Sequence, residues 1–270
     1  MWKAILPALA LAGCTAQPAI APGGIVSANP CIDGILAQIA TPGQIAAVSA
    51  FSHDPAAGSA PMTWAKRYPA IGITAEEVIA AHPRLLLTGD YMSAATRDAI
   101  AQARIPTIAL GVPATIAASE DQIATTAHAI GRQDAGRALI AAIERAVSTE
   151  PVNGRPKSAI IWLPSGFVPG KGTVQDELLT RAGFANASAT YGLTQWGQLT
   201  LETLLTHPPD VIFMPIAING QEARVIAARQ RILARFGNRT RIVAFPERML
   251  FCAGPTMIEA VTIMRRANSR

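Results

Sequence analysis

The chain has 270 residues, of which 50% are hydrophobic and 15% are charged, and its formal net charge is +5 at pH 7. This length allows one large domain or two of ordinary size, and the high hydrophobic content excludes a disordered protein. The basic residues are scattered except between 224 and 241, where Arg224, Arg231 and Arg235 have the spacing of one solvated helix face. We therefore expect no nucleic-acid binding.

Residues 1–13 have the features of a secretory signal peptide, with one Lys, a short apolar stretch and small residues before a Cys. The apolar stretch is too short to span a bilayer. The sequence Leu-Ala-Gly-Cys that ends at Cys14 resembles a bacterial lipobox, in which the Cys is acylated. We expect Cys14 to be lipidated, residues 14–22 to form a tether, and the mature protein to contact the membrane through this lipid anchor only.

Strands and helices alternate along residues 23–116. Short apolar runs predict strands at 24–29, 44–51, 85–89 and 106–110, with helices between them. Because these strands are continuous apolar runs, they are typical of a parallel sheet that is covered on both faces. This segment is predicted to form an N-terminal α/β lobe.

Residues 117–150 are predicted to form one long linking helix. Ser119, with Gln122 three residues later, has the pattern of a capping box. No Pro interrupts the apolar positions from there to Val147. At 1.5 Å per residue this helix would be about 40 Å long, which suits a strut between two lobes.

The alternation resumes in residues 151–270. An apolar strand near 158–163 runs into a glycine-rich loop and a helix at 173–184, and a strand at 241–245 precedes the last helix. The predicted fold class is therefore α/β, with two Rossmann-like lobes that contain parallel sheets and are joined by one long backbone helix.

One helix–strand phrase occurs twice, at 74–87 and at 200–213. Each copy has an amphipathic helix, a Pro that ends it and an apolar strand. Glu76 and Glu202 occupy the same place in the two copies, in a first turn where the helix dipole favours an acidic side chain. The neighbouring Glu77 leaves this assignment ambiguous by one residue. The repeat marks equivalent places in the two lobes.

Several enzyme classes are not supported by the sequence. It has no G-x-S-x-G elbow, no phosphate-binding loop and no G-x-G-x-x-G after the first strand. The four histidines, His53, His82, His128 and His207, lack the i, i+4 pairing of zinc hydrolases. His82 and His207 adjoin the Pro after each repeated helix and are interpreted as C-terminal caps. We expect no enzyme activity, no bound metal ion and no resident cofactor.

Cys31 and Cys252 are the two thiols that remain after lipidation of Cys14. Cys31 follows the first strand of one lobe, and Cys252 follows the last strand of the other. The favoured interpretation is a buried free Cys in each lobe. A disulfide that clamps the lobes together and a ligand-facing role for Cys31 are the alternatives.

Four phrases in this order resemble the class III periplasmic binding proteins of ABC importers, which serve vitamin B12, ferric siderophores and haem. They are ITAEEVIAAHPRLLLTG (73–89), GKGTVQDELLTRAGFANAS (170–188), TLETLLTHPPDVIFM (200–214) and FCAGPTMIEAV (251–261). The resemblance covers essentially the whole mature chain. It implies a lipid-anchored protein of the periplasm, with a ligand cleft between its lobes. It also implies that Glu76 and Glu202 dock onto arginines of the membrane permease.

The resemblance places the ligand against the loops that follow the strands. Aromatic walls there suit a large planar or hydrophobic chelate. Only Arg67, Arg97 and Arg248 are near, which favours the weakly charged corrinoid cobalamin over an anionic ferric siderophore. Haem remains an alternative ligand, because Tyr91 or His53 would serve as its axial ligand. The candidate ligand-binding residues are His53, Asp54, Trp64, Tyr91, Trp162, Phe167, Trp196, Arg248 and Phe251.

The sequence thus predicts a monomeric, lipid-anchored binding protein that delivers a metal chelate, cobalamin before others, to the permease subunits of an ABC importer. Only small lobe movement is expected on binding. The alternatives are a ferric-siderophore or haem binding protein of the same class, a metal-cofactor enzyme component on a similar two-lobed fold, and a lipoprotein that scaffolds a partner.

Overall fold

The structure is a computed structural model that describes residues 20–149, 154–163, 165–215, 220–246 and 248–269. The predicted signal peptide, Cys14 and most of the predicted tether lie outside these residues, as does the side chain of Arg235. Within the described ranges, no helix combines the length and the apolar character that crossing a membrane requires.

The first half of the chain forms a five-stranded sheet in which every neighbouring pair of strands is parallel. Its strands are β1 (Ile25–Ser27), β2 (Ile45–Ser49), β3 (Ala70–Ile71), β4 (Leu85–Gly89) and β5 (Thr107–Leu110). Their order is β3-β2-β1-β4-β5, so the winding reverses between β1 and β4. In such a sheet, ligands bind outside the carboxyl ends of the strands at this point.

Four helices belong to this lobe: α1 (Pro30–Ile39), α2 (Met62–Ala65), α3 (Ala75–Ala80) and α4 (Ala94–Gln102). Helix α1 begins directly after β1, because the side chain of Asn29 accepts a hydrogen bond from the N–H of Cys31 at 2.8 Å. Pro30 at the first helical position has the φ that a helix needs. The apolar side of α1, which includes Leu36 and Ile39, is buried.

The link between the lobes consists of two helices, α5 (Ile116–Ala129) and α6 (Gln133–Val147), so the prediction of one long helix is wrong. Gly131 ends α5 in the left-handed region at φ +68°. Its N–H donates to the carbonyl of His128 at 3.1 Å, and that of Arg132 donates to the carbonyl of Ala127 at 2.7 Å. These are the two bonds of a Schellman motif, which terminates helices at glycine.

The start of the link also differs from the predicted capping box. Thr115 caps α5, and its side chain accepts a hydrogen bond from the N–H of Ala118 at 3.0 Å. Ser119 is buried in the first half of α5, and its Oγ accepts a hydrogen bond from the N–H of Gly254 at 2.8 Å. Ser119 therefore ties the link to the second half of the chain rather than starting a helix.

The second half of the chain contains a four-stranded parallel sheet in the order β11-β10-β6-β8 and an antiparallel ribbon of β7 and β9. The strands are β6 (Lys157–Ile161), β7 (Phe167–Pro169), β8 (Phe184–Asn186), β9 (Trp196–Gln198), β10 (Val211–Met214) and β11 (Arg241–Ala244). The helices are α7 (Val174–Arg181), α8 (Leu201–Thr206), α9 (Gly220–Leu233), α10 (Arg248–Phe251) and α11 (Thr256–Asn268). The predicted α/β class with two Rossmann-like lobes is confirmed.

A continuous hydrophobic core joins the two sheets. Leu36 of α1, Ile123 of α5, Ile143 of α6 and Met264 of α11 all belong to it and are fully buried. Helices α5 and α6 approach closely at Gly136, where an added Cβ would lie 2.4 Å from the Cβ of Ala127. The lobes are therefore held by a packed layer of helices and not by a single strut.

Cys31 and Cys252 form a disulfide bond, with their Cα atoms 5.1 Å apart. The favoured interpretation of two free buried thiols is wrong, and the alternative of a clamp between the lobes is confirmed. The reason is topological. Cys31 is at the start of α1, beyond the carboxyl end of β1, and Cys252 follows α10 at the facing edge of the other lobe.

Candidate functional site

A cavity of about 840 Å³ lies between the two sheets. In the first lobe its wall includes the segments that follow β1, β4 and β5. In the second lobe it includes the β7–β9 ribbon, the first turn of α7 and the end of α10. The volume is within the range of small-molecule sites, and the position is the one at which parallel α/β sheets bind ligands.

Exposed large apolar side chains are concentrated in this cavity. The described residues include seven of them, and five line the cavity wall: Tyr91, Val112, Phe167, Trp196 and Phe251. Val112 is 77% exposed and Tyr91 54%, although burial of such side chains is favourable by roughly 1.5–3 kcal/mol each. A concave surface with this much exposed apolar area is typical of a binding site for an apolar ligand.

The structure therefore brings together four predicted ligand-binding residues, Tyr91, Phe167, Trp196 and Phe251. Tyr91 comes from the first lobe, in the loop after β4. The other three come from the second lobe, two from the antiparallel ribbon and one from the end of α10. The cavity therefore presents aromatic side chains from both lobes.

The two other predicted aromatic residues, Trp64 and Trp162, lie in the core and do not line the cavity. Trp64 is almost fully buried and packs against Tyr68, with ring centroids 5.0 Å apart. Trp162 is fully buried, and its Nε1 donates a hydrogen bond to the carbonyl of Leu199 at 3.2 Å. The guanidinium of Arg229 lies over its ring at 4.4 Å from the centroid. Both residues are structural.

The predicted polar residues also lie outside the cavity wall. The Nε2 of His53 is 3.1 Å from the carbonyl oxygen of Ala65, which ties its loop to α2. Asp54 is exposed and accepts a hydrogen bond within its own turn. Arg248 forms an ion pair with Glu259 of α11. None of these three side chains faces the cavity.

The described part of the cavity wall is uncharged. Among the described residues that line it there is no Asp, Glu, Lys, Arg or His, and Arg67 and Arg97 also lie elsewhere. Burial raises the pKa of the Tyr91 phenol, and the negative charges of Asp33 and Asp90 raise it further. The phenol is therefore neutral at physiological pH. In the same ranges, no three His, Cys, Asp or Glu side chains come together as a metal site.

The described residues of the cavity wall include four amide side chains that were not predicted from the sequence: Asn29, Gln122, Gln175 and Gln195. Their positions carried a signal, because Asn29 ends a predicted strand and Gln175 follows the glycine-rich loop. Gln122 was assigned to a capping box, but its Nε2 donates to the carbonyl of Gly111 at 2.6 Å. Amides are uncharged hydrogen-bonding groups, so they agree with the uncharged character of the wall.

The two copies of the repeated phrase form equivalent helices, α3 and α8. Thr74 caps α3 and Thr200 caps α8, which makes Glu76 and Glu202 the second residue of their helices. Both glutamates are exposed. Glu77 takes part in its own cap, because its Oε2 accepts a hydrogen bond from the Thr74 hydroxyl at 3.0 Å. Glu76 is thus the structural counterpart of Glu202.

The family model described as periplasmic binding protein matches residues 25–230 of this chain. Among curated protein sequences, none matches it.

Solved structures with the same fold include three periplasmic heme-binding proteins: RhuT from Roseiflexus sp. RS-1 in its apo form, one from Pseudomonas aeruginosa, and HutB of Vibrio cholerae. RhuT is 22% identical, with a TM-score of 0.70 over 92% of this chain and 100% of RhuT. The Pseudomonas protein is 18% identical, with a TM-score of 0.70 over 92% and 93% of the two chains. HutB is 18% identical, with a TM-score of 0.72 over 91% and 98%. At these identities, the likeness shows the fold.

Proposed function

The chain belongs to the periplasmic binding protein family, and from this premise we propose that its cleft binds a metal chelate with little net charge, cobalamin, and presents it to an ABC importer. The choice of cargo rests on the properties of the cavity. It measures about 840 Å³, is lined by exposed aromatic side chains from both lobes, and has no charged residue among its described lining.

A corrinoid matches these properties. Its macrocycle offers two broad apolar faces, and Tyr91, Phe167, Trp196 and Phe251 offer aromatic contact area from both sides. Aromatic side chains dominate the energetics of such contacts. A ferric siderophore of the catecholate or hydroxamate type is anionic, and a site for it needs arginines, none of which is among the described residues of this wall.

Haem is the second candidate, and Tyr91 is the observation that favours it. A phenol oxygen is one of the side-chain groups that bind haem iron, and the similar solved structures include heme-binding proteins. The form of Tyr that binds ferric iron is the phenolate. Burial, Asp33 and Asp90 all raise the pKa of Tyr91, and no described cation in the wall offsets them. This electrostatic environment supports cobalamin over haem.

Tryptophan fluorescence tests this choice, because Trp196 lies in the cavity wall. Mature, unlipidated protein is titrated with cyanocobalamin, haemin and a ferric catecholate. We expect saturable quenching by cyanocobalamin at micromolar concentrations or below, and a Trp196→Phe variant is expected to lose most of the signal. Saturation by haemin alone would favour haem as the cargo. No saturation by any of the three would refute an open binding cleft and favour a scaffolding protein or an enzyme component.

Delivery is proposed to use Glu76 and Glu202 as contacts for basic residues of the permease, with Cys14 as the lipid anchor of a monomeric protein. The support is the equivalent, exposed position of the two glutamates on α3 and α8. The test is binding to the reconstituted importer of the same organism. Glu76→Gln together with Glu202→Gln should weaken this binding at least about 10-fold through loss of charge pairing and leave the affinity for cargo unchanged. Glu77→Gln is the matched control.

A further inference from the structure

Three glutamine side chains are placed around the cavity by three different elements. Gln122 is on α5, Gln175 is in the first turn of α7, and Gln195 directly precedes β9. The wall contains no charged group among its described residues, so these amides and Asn29 are its most polar side chains. Their orientation determines which ligand groups the wall can bind.

Two of the three amides have a fixed orientation. The Nε2 of Gln122 donates to the carbonyl of Gly111, and the Nε2 of Gln175 donates to the carbonyl of Leu250, both at 2.6 Å. A backbone carbonyl can only accept a hydrogen bond, so the amide nitrogen must be the atom that faces it. The carbonyl oxygen Oε1 of each glutamine then has no hydrogen-bond partner in the described parts of the chain. Both sites therefore offer an unused acceptor.

Gln195 is positioned by its backbone conformation and backbone hydrogen bonds. Its backbone is in the left-handed region, at φ +55°, which costs a residue other than glycine about 1–3 kcal/mol. The N–H of Gln195 donates to the carbonyl of Lys171 at 3.0 Å, and its own carbonyl accepts from the N–H of Gly170. Its amide lies against Gly172, where an added Cβ would be 2.9 Å from Nε2. Strained backbone conformations are common at ligand sites, where they hold a side chain in the position that ligand binding requires.

We propose that Gln122, Gln175 and Gln195 select a ligand whose rim carries carboxamide N–H donors and discriminate against the same rim bearing carboxylates. This inference rests on the proposed function, because the corrin rim of cobalamin carries primary carboxamides. A carboxamide N–H donates to the free oxygens of Gln122 and Gln175. A carboxylate has no donor, so it meets those oxygens with a negative charge and finds no cation among the described residues of the wall. An unpaired charge in an apolar site is costly.

The experiment compares cyanocobalamin with its monocarboxylic acids, which are made by hydrolysis of one carboxamide. Both are titrated near neutral pH into the wild-type protein and into Gln122→Met, Gln175→Met and Gln195→Met variants. Met has a similar length and no amide. Gln102→Met is the matched control, because Gln102 is exposed on α4 and outside the cavity. Thermal unfolding of each variant shows whether it is folded.

We expect the wild type to bind cyanocobalamin at least about 10-fold more tightly than one or more of the acids, since sites that hydrogen-bond a ligand group reject analogues that cannot reciprocate. The Met variants should bring this ratio toward one, and Gln102→Met should leave it unchanged. If Gln175→Met does not fold because it lacks the hydrogen bond to the carbonyl of Leu250, the Gln122→Met and Gln195→Met variants test the inference. Equal wild-type affinity for the amide and all acids overturns the inference and leaves the proposed function intact. Binding of neither ligand overturns the proposed function first.

Discussion

Cys31 and Cys252 are bonded across the two lobes, and both residues also lie in the cavity wall. The bond joins positions 221 residues apart in the sequence, so it constrains nearly the whole described chain. It lies at the edge of the continuous core that connects α1, α5, α6 and α11. Covalent and apolar contacts therefore hold the two lobes at the same place where a ligand would bind between them.

Removal of this disulfide should destabilise the protein. The chain-entropy account gives about 5 kcal/mol for a loop of this length, and native disulfides commonly contribute about 2–5 kcal/mol. We expect a Cys31→Ala, Cys252→Ala double variant to unfold at a clearly lower urea concentration than the oxidised wild type. A reducing agent should lower the midpoint of the wild type and leave that of the variant unchanged. A wild-type midpoint that does not respond to reduction would argue against the bond.

Lobe movement on binding should be small. A rigid strut was the expected cause, and the structure supplies a different one, which is the shared core together with the disulfide. We expect the radius of gyration from small-angle X-ray scattering to change by less than about 1 Å when cargo binds, as in other preorganised sites. Large compaction, with the disulfide intact, would refute this.

Asp33 of α1 should make stability depend on pH. It is fully buried, and its Oδ2 accepts hydrogen bonds from the N–H of Ser49 at 2.9 Å and the hydroxyl of Ser52 at 2.6 Å. Its Oδ1 is buried without a partner in the described ranges. Burial raises the pKa of Asp33 from 3.8 to about 7, against the opposing effect of its hydrogen bonds. The folded state therefore keeps a proton that the unfolded chain releases.

The sign follows from proton linkage. Between about pH 4 and about pH 7 the folded protein binds more protons than the unfolded chain, so the free energy of unfolding falls as pH rises, by a few kcal/mol, and levels off above. Urea unfolding at several pH values measures this slope. Asp33→Asn should reduce this dependence of the free energy of unfolding on pH. Asp54→Asn, at an exposed turn, should leave the dependence unchanged. A slope of the opposite sign in this window would contradict the account.

The cavity aromatics should contribute to affinity and not to folding. We expect Trp196→Ala and Phe251→Ala each to weaken cargo binding by about 10-fold, which corresponds to about 1.4 kcal/mol of lost contact. Phe51→Ala is the matched control, because Phe51 is 57% exposed and lies outside the cavity. Trp64→Ala should instead lower the free energy of unfolding by about 3–5 kcal/mol. Calorimetric titration measures the effect on binding, and thermal unfolding measures the effect on stability. Equal losses of affinity in Phe51→Ala and Trp196→Ala would contradict the location of the binding site in the cavity.

The pattern of apolar runs was sufficient to predict most of the sheet strands. The strand at 85–89 coincides with β4, and the repeated phrase places α3 and α8 correctly. Strand β3 has two residues and no periodicity to detect. The break between α5 and α6 depends on one positive φ at Gly131, and a single glycine inside an apolar pattern does not by itself distinguish a helix end from a weak helix.

Side-chain direction was harder to predict than element type. Trp162 and Trp196 both lie at strand ends in the second lobe, yet one is fully buried and the other is 41% exposed. Composition cannot distinguish them, because the difference comes from packing against α9 in the first case and from the antiparallel ribbon in the second. The disulfide was similarly hidden, since only the three-dimensional arrangement of the lobes brings Cys31 and Cys252 together.

Calorimetric titration of the mature, oxidised protein with cyanocobalamin and, in parallel, with haemin tests the proposed cargo most directly. We expect one saturable site for cyanocobalamin at micromolar affinity or tighter, weaker binding of haemin, and little effect of Tyr91→Phe on the cobalamin affinity. Tight binding of haemin that is lost in Tyr91→Phe, together with no heat from cyanocobalamin, would contradict the proposed cargo.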